Sequence, residues 1–156
     1  MDTRSLFGSD TITFNDVPLS AFGSGEVAKI TFPTELATVK AGKDGNTIYV
    51  QNVTGLQAVL EIKLIRGSAD DVKLNGRVVA YKSTPALYIL DKATIVKVIG
   101  SGVAGKNPEV GSFVNDTYTC WGGIPTKQPE VVTNLDGDTE QALSVYTWTF
   151  AKAERS

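Results

Sequence analysis

Two periodicities stand back to back in Leu56-Gln57-Ala58-Val59-Leu60-Glu61-Ile62-Lys63-Leu64-Ile65-Arg66 and the Gly67-Ser68-Ala69-Asp70-Asp71-Val72 that follows it. In the first run Ala58, Leu60, Ile62 and Leu64 face one way while Gln57, Glu61 and Lys63 face the other, the period of two that belongs to a strand. At Gly67 the period changes. Ser68 is suited to an N-cap, and Asp70 and Asp71 fall in the first turn, where the helix dipole favours negative charge. Val72 and Val79, and Leu74, Val78 and Tyr81, then recur at helical spacings. A helix from about Ser68 to Lys82 follows, although Gly76 inside it costs about 1 kcal/mol relative to alanine.

On the N-terminal side, short extended runs alternate with turns. Residues 11–14 place Ile12 and Phe14 on one face, and Asn15-Asp16 supplies turn chemistry into a strand over 17–22, ended by Gly23-Ser24-Gly25. Residues 27–32 set Ala28, Ile30 and Phe32 against Lys29 and Thr31. Residues 35–40 and 46–51 flank Gly42-Lys43-Asp44-Gly45, where Asp44-Gly45 is a strong hairpin signal because both residues can take positive φ. Beyond Pro85, strands are expected at 86–90, 94–99, 117–124, 130–133 and 143–151, the last carrying Tyr146, Trp148 and Phe150 on one face. Residues 100–115 are Gly-rich and polar, and read as a mobile surface loop.

Closely spaced strands with one helix define a mostly β fold, an antiparallel β-sandwich or barrel with one flanking α-helix. A single domain over residues 1–156 is expected, with residues 1–10 a flexible or assembly arm. Ile95-Val96 and Val98-Ile99 put apolar residues on both faces of a strand, which a lone chain does not need and partner chains would satisfy.

Composition narrows the function classes. The chain has 156 residues, 42% of them hydrophobic and 21% charged, the balance of a soluble globular protein. No apolar run approaches the roughly 18 residues of a membrane span. The polar start, Met1-Asp2-Thr3-Arg4-Ser5, reads as no signal peptide, so synthesis in a cytoplasm is expected, and the lone Cys120 agrees. Basic and acidic residues number 15 and 17, and Lys29, Lys40, Lys63, Lys82 and Lys97 are scattered singly. A nucleic-acid grip needs clustered basic charge, so none is expected. Histidine is absent, which removes imidazole-based triads and the usual catalytic zinc sites. The reading is of a non-enzyme without cofactor or metal.

Individual motifs resolve to bland readings. Gly100-Ser101-Gly102-Val103-Ala104-Gly105 matches a dinucleotide-binding pattern, but Pro108 and Gly111 break the helix that the pattern must open. Asn134-Leu135-Asp136-Gly137-Asp138-Thr139-Glu140 is acidic without the spacing of a calcium loop. Asn52-Val53-Thr54 and Asn115-Asp116-Thr117 are formal glycosylation sequons read as turn residues. Cys120 reads as a buried inert thiol and Trp121 as a packed aromatic.

An ordered set of features resembles the tail tube proteins of contractile-tailed phages and related phage-like particles. The set comprises a hairpin over 12–19 with Asn15-Asp16-Val17-Pro18, Phe22-Gly23-Ser24-Gly25, a strand reaching Phe32, Gly42-Lys43-Asp44-Gly45 and Val53-Thr54-Gly55. It continues with Arg66-Gly67-Ser68-Ala69-Asp70-Asp71-Val72 and closes with Val145-Tyr146-Thr147-Trp148-Thr149-Phe150, running into Ala151-Lys152-Ala153-Glu154. It spans most of the chain except residues 85–141. The resemblance implies hexameric rings stacked into a tube in a virion tail, through which DNA passes at ejection without specific binding. The implied partners are further copies of the chain, then tail sheath, baseplate and tail terminator proteins, with no membrane. It also implies that a hairpin at this place reaches the adjoining ring, making Val39, Lys40, Gly42, Lys43, Asp44, Gly45, Asn46 and Thr47 the expected inter-ring contacts. A plain surface turn is the alternative for that segment. For the whole chain, the alternatives are the tube of a secretion system or bacteriocin particle, or a β-sandwich binding module.

Overall fold

The computed structural model describes residues 4–6, 10–23, 26–101, 112–131, 133, 135, 137 and 139–156. In chain order its strands are β1 Arg4–Leu6, β2 Thr11–Phe14, β3 Val17–Leu19, β4 Ala28–Thr31, β5 Ala37–Ala41, β6 Thr47–Gln51, β7 Ala58–Ile65, β8 Asp91–Ser101, β9 Ser112–Lys127 and β10 Leu143–Arg155. The helix α1, Ala69–Ser83, lies between β7 and β8. The mostly β, antiparallel fold with one helix is as expected. Among the described residues no helix is long and apolar enough to cross a membrane.

The alternation in β7 and β10 builds the interior. Ala58, Leu60, Ile62 and Leu64 of β7 are buried, and the register sets Tyr146 opposite Ile62, Trp148 opposite Leu60 and Phe150 opposite Ala58. Leu74 and Val78 of α1 close over this layer with Ile12, Phe14 and Cys120. Phe14 meets Trp148 edge to face, with ring centroids 5.1 Å apart. Ser68 caps α1 as the sequence indicates, its hydroxyl accepting from the Asp71 N–H at 3.2 Å.

Eight strands form one sheet in the order β3-β2-β8-β9-β10-β7-β4, with β1 beside β8, and the sheet curls into a half-barrel. One end is tied by the chain leaving β3. The Ile65 N–H donates to the Ala21 carbonyl at 2.9 Å, and Phe22 bridges to Leu64. The Asp70 carboxylate accepts from the backbone N–H of Ser20 and Ala21 at 2.7 and 2.9 Å, so the start of α1 holds this crossing in place. β5 and β6 stand apart as a two-stranded sheet.

The structure redraws several boundaries. Residues 86–90 are not a strand: Pro85–Leu87 form a 3₁₀ turn after Thr84, and pairing starts only at Asp91. Pro85 cannot donate to a ladder and presets the turn. The expected strand over 17–22 ends at Leu19, and Val53–Leu56 is a 3₁₀ turn ahead of β7. Glu130, Val131 and Thr133 belong to no strand; the Glu130 carbonyl is taken instead by the Arg66 guanidinium at 2.7 Å. The expected loop over 100–115 loses both ends to the sheet, because the β8–β9 ladder continues in register through Gly100–Phe113 and Ser101–Ser112. Its centre, and with it Gly102 to Gly105 of the glycine motif, lies outside the described residues, as do Asn134, Asp136 and Asp138 of the acidic segment. Trp121 is 39% exposed rather than packed, with the Lys152 ammonium 6.0 Å from its ring centroid. Within the expected N-terminal arm, Arg4–Leu6 pair with Ile99–Ser101.

Candidate functional site

All the residues expected to make inter-ring contacts fall on one projection, the β5–β6 hairpin. Val39 and Lys40 lie on β5, Gly42 to Asn46 form the connection, Thr47 opens β6, and every one is exposed. The turn is not the two-residue form with both φ positive: three residues, Lys43 to Gly45, lie between the bonded pair Gly42 and Asn46. The Gly42 carbonyl accepts from the Gly45 N–H at 3.2 Å, and the Gly42 N–H donates to the Asn46 carbonyl at 2.6 Å. Gly45 alone takes a positive φ, +80°, while Asp44 stays on the negative side. This is a type I turn closed by a left-handed residue, for which glycine at 45 is the fitting choice. The two-residue turn with both φ positive is found instead at Asn15 and Asp16, at 50° and 64°, between β2 and β3.

The root of the hairpin is fixed. The Asn52 N–H continues the ladder to the Leu36 carbonyl at 2.9 Å. A Cβ on Gly55 would stand 2.7 Å from the Glu35 carbonyl oxygen, so the two neck segments touch through their backbones. Beyond the neck no side chain of β5 or β6 is buried. Val39, Ile48, Tyr49 and Val50 are 57%, 59%, 73% and 55% exposed. Val39 and Tyr49 share one face and Ile48 and Val50 the other. Two strands alone are marginal in water, and this projection exposes apolar residues on both of its faces. Ile48, Tyr49 and Val50 were missed in the sequence reading, although three successive apolar residues in a strand are the same two-faced signal that Ile95-Val96 carries.

The buried polar groups are structural. Asp91, with a fully covered side chain, accepts from Asn15 Nδ2 at 2.8 Å, from Arg77 Nε and a terminal guanidinium nitrogen at 2.8 and 2.6 Å, and from Trp148 Nε1 at 2.8 Å. The Tyr88 hydroxyl donates to it as well. Burial, then the hydrogen bond and the charge of Asp91, push the Tyr88 phenol well above its usual range. Arg77 also donates to the Ile89 carbonyl at 2.6 Å and stacks 4.5 Å from the Tyr88 ring centroid. A carboxylate so fully engaged and sealed has no lone pair to offer a substrate. Its role is to bind β8, α1, the β2–β3 turn and β10 to one point.

A second carboxylate, Asp71, accepts from Tyr146 Oη at 2.6 Å and from the Gly67 N–H at 2.9 Å. Burial alone would raise it, but the hydrogen bonds from Tyr146, Gly67 and Ser144, with the Arg66 charge, hold it below its usual value. At the far end of the sheet the Arg155 guanidinium, 2.6 Å from Asp116, holds that carboxyl low. Among the described residues no group of three His, Cys, Asp or Glu side chains is placed to hold a metal. No protein-family model matches the chain, and no curated protein matches it.

Proposed function

We propose that this chain is a self-assembling structural subunit, packed into hexameric rings that stack into the inner tube of a phage tail and conduct DNA at ejection. The observation that carries the reading is the β5–β6 hairpin, a rigidly rooted projection with apolar side chains on both faces.

The resemblance to tail tube proteins supplies the ring and the tube; the hairpin supplies a means of joining layers. Head-to-tail contacts of this kind close within a ring and propagate between rings. The slight negative charge, −2, suits a conduit that must release DNA rather than hold it. Sheath, baseplate and terminator proteins are the further partners of such a tube, and the virion tail its location. The tube of a secretion system or bacteriocin particle uses the same assembly. Negative-stain electron microscopy of the concentrated protein tests the reading: stacked rings support it, and a concentrated sample holding only monomers or two-fold dimers defeats it.

A further inference from the structure

The seam that the half-barrel leaves open is mostly apolar. β4 is the last strand of the sheet, paired only with β7. Its register sets Ala28 opposite Ile62 and Ile30 opposite Leu60, and the Lys63 N–H donates to the Val27 carbonyl at 2.9 Å. Val27, Lys29 and Thr31 therefore direct their backbone groups at β7. By the alternation of an antiparallel ladder, the N–H and C=O of Ala28 and Ile30 point outward, along an edge that no strand among the described residues covers. The side chains of Ala28 and Ile30 face inward, like the buried Leu60 and Ile62 beside them. With Ile12, Phe22, Phe32 and Ile95 they line an open trough of about 670 Å³, to which Asp10, Lys97 and Tyr118 add polar groups.

The hairpin has the complementary parity. The bonds Gly42–Asn46 and Asn52–Leu36 make Thr38, Lys40, Ile48 and Val50 the residues that bond across it. Val39 on β5 and Tyr49 on β6 then direct their backbone groups outward. Two strand edges join only through outward-directed residues, and directly opposed residues share a face. Adding β6 to β4 consequently sends Tyr49 to the Ile30 side, into the trough, and leaves Ile48 and Val50 beside Lys29 and Thr31. A slip by two residues preserves this arrangement, and a slip by one is forbidden by the hydrogen bonding.

We propose that β6 of a second copy of this chain adds antiparallel to the free edge of β4, seating Tyr49 in the trough. The inference rests on the tube-subunit reading and deepens it, by naming where the projecting hairpin lands. The occupant is a second copy because every chain carries both an open trough and a hairpin with exposed side chains, and the outward-directed residues of the two edges match in parity. Such a donor-to-acceptor contact is heterologous, the kind that extends an assembly rather than ending it at a dimer.

Cross-linking between two variants tests it. Ile30→Cys and Tyr49→Cys proteins, one carrying a mass tag, are mixed under conditions where the wild type assembles and then oxidised. Opposed residues in a hydrogen-bonded antiparallel pair lie about 5.5 Å apart at Cα, a span a disulfide bridges, and the buried Cys120 does not compete. The expected result is a mixed disulfide dimer at least tenfold above that of Tyr49→Cys with Lys73→Cys, an exposed position on α1. Ala28→Cys, two residues along the same edge, covers the other register and guards against misfolding of Ile30→Cys. Ala28→Pro removes an outward N–H while sparing the β4–β7 bonds, and is expected to keep its circular dichroism yet lose both cross-link and assembly. Wild-type assembly with no cross-link from either edge cysteine, or full assembly of Ala28→Pro, overturns the docking and leaves the tube reading standing. Cross-linked short oligomers without rings would support the docking and defeat the tube. An intramolecular disulfide in the Ile30→Cys/Tyr49→Cys double variant would refute the second-copy assignment.

Discussion

Replacing Asp91 by alanine removes the one carboxylate at which four separate segments meet. Trp148 is fully buried, and without Asp91 its indole N–H, now 2.8 Å from the carboxylate, has no acceptor. An orphaned buried donor costs about 1–3 kcal/mol. The Arg77 guanidinium loses both contacts to Asp91, but its side chain is 30% exposed and turns partly to water. That places the ion pair below the roughly 3–5 kcal/mol expected for breaking a fully buried one. Together the losses amount to about 3–5 kcal/mol, a large part of the roughly 5–15 kcal/mol that holds a domain folded. For a chain of this length the thermal midpoint should fall by roughly 6–20 °C. Urea unfolding followed by tryptophan fluorescence reads the effect, with an unchanged denaturant slope as the control for two-state behaviour. Asp91→Asn keeps the shape and one acceptor oxygen, and should fall between the wild type and Asp91→Ala. A loss under about 1 kcal/mol for Asp91→Ala, at constant slope, would refute the claim that this point ties β8, α1, the β2–β3 turn and β10 together.

Three further outcomes are expected. Cys120, 1% exposed with its thiol pushed up to about 11 by burial, should resist thiol reagents in the native state and react on unfolding; labelling at a free-thiol rate would show the site to be open. Exchanging the turn charges, Lys43→Glu with Asp44→Lys, should change stability by less than about 0.5 kcal/mol yet stop tube growth, and wild-type tube lengths from that variant would reduce the segment to a plain turn. The Asp71 carboxyl lies below its usual 3.8 in the folded chain, so its contribution is complete above that pH and is lost as pH falls through the folded value; Asp71→Asn should flatten the fall in the denaturation midpoint below about pH 4, and an unaltered acid limb would contradict the assignment.

Local spacing was enough for the parts of this fold that depend on neighbours in the chain. The period of two over residues 58–64 placed Leu60, Ile62 and Leu64 in the core, and the same period put Tyr146, Trp148 and Phe150 there. Ser68 with aspartates two and three residues on marked the helix start, because capping is decided within one turn. The exposed turn at Gly42 to Asn46 was legible for the same reason, although which residue would take the positive φ was not. Strand against 3₁₀ turn at Pro85, and the reach of β8 and β9 into the Gly-rich stretch, turned on which backbone partner lay alongside, and a short window of sequence holds no record of that.

What only the tertiary structure decided is non-local. Asn15, Arg77, Tyr88 and Trp148 converge on Asp91 from positions up to 76 residues away from it, and nothing in their own neighbourhoods marks them as a group. The burial of Asp70 as the clasp for Ser20 and Ala21 depends on α1 docking beside a segment 49 residues distant. The open edge of β4 exists because the curl of the sheet stops short of closure, and twist accumulated over eight strands sets that outcome. Sequence patterning specifies which face of each strand is apolar. Which apolar faces remain uncovered is a property of the assembled sheet, because it depends on where its last strand ends.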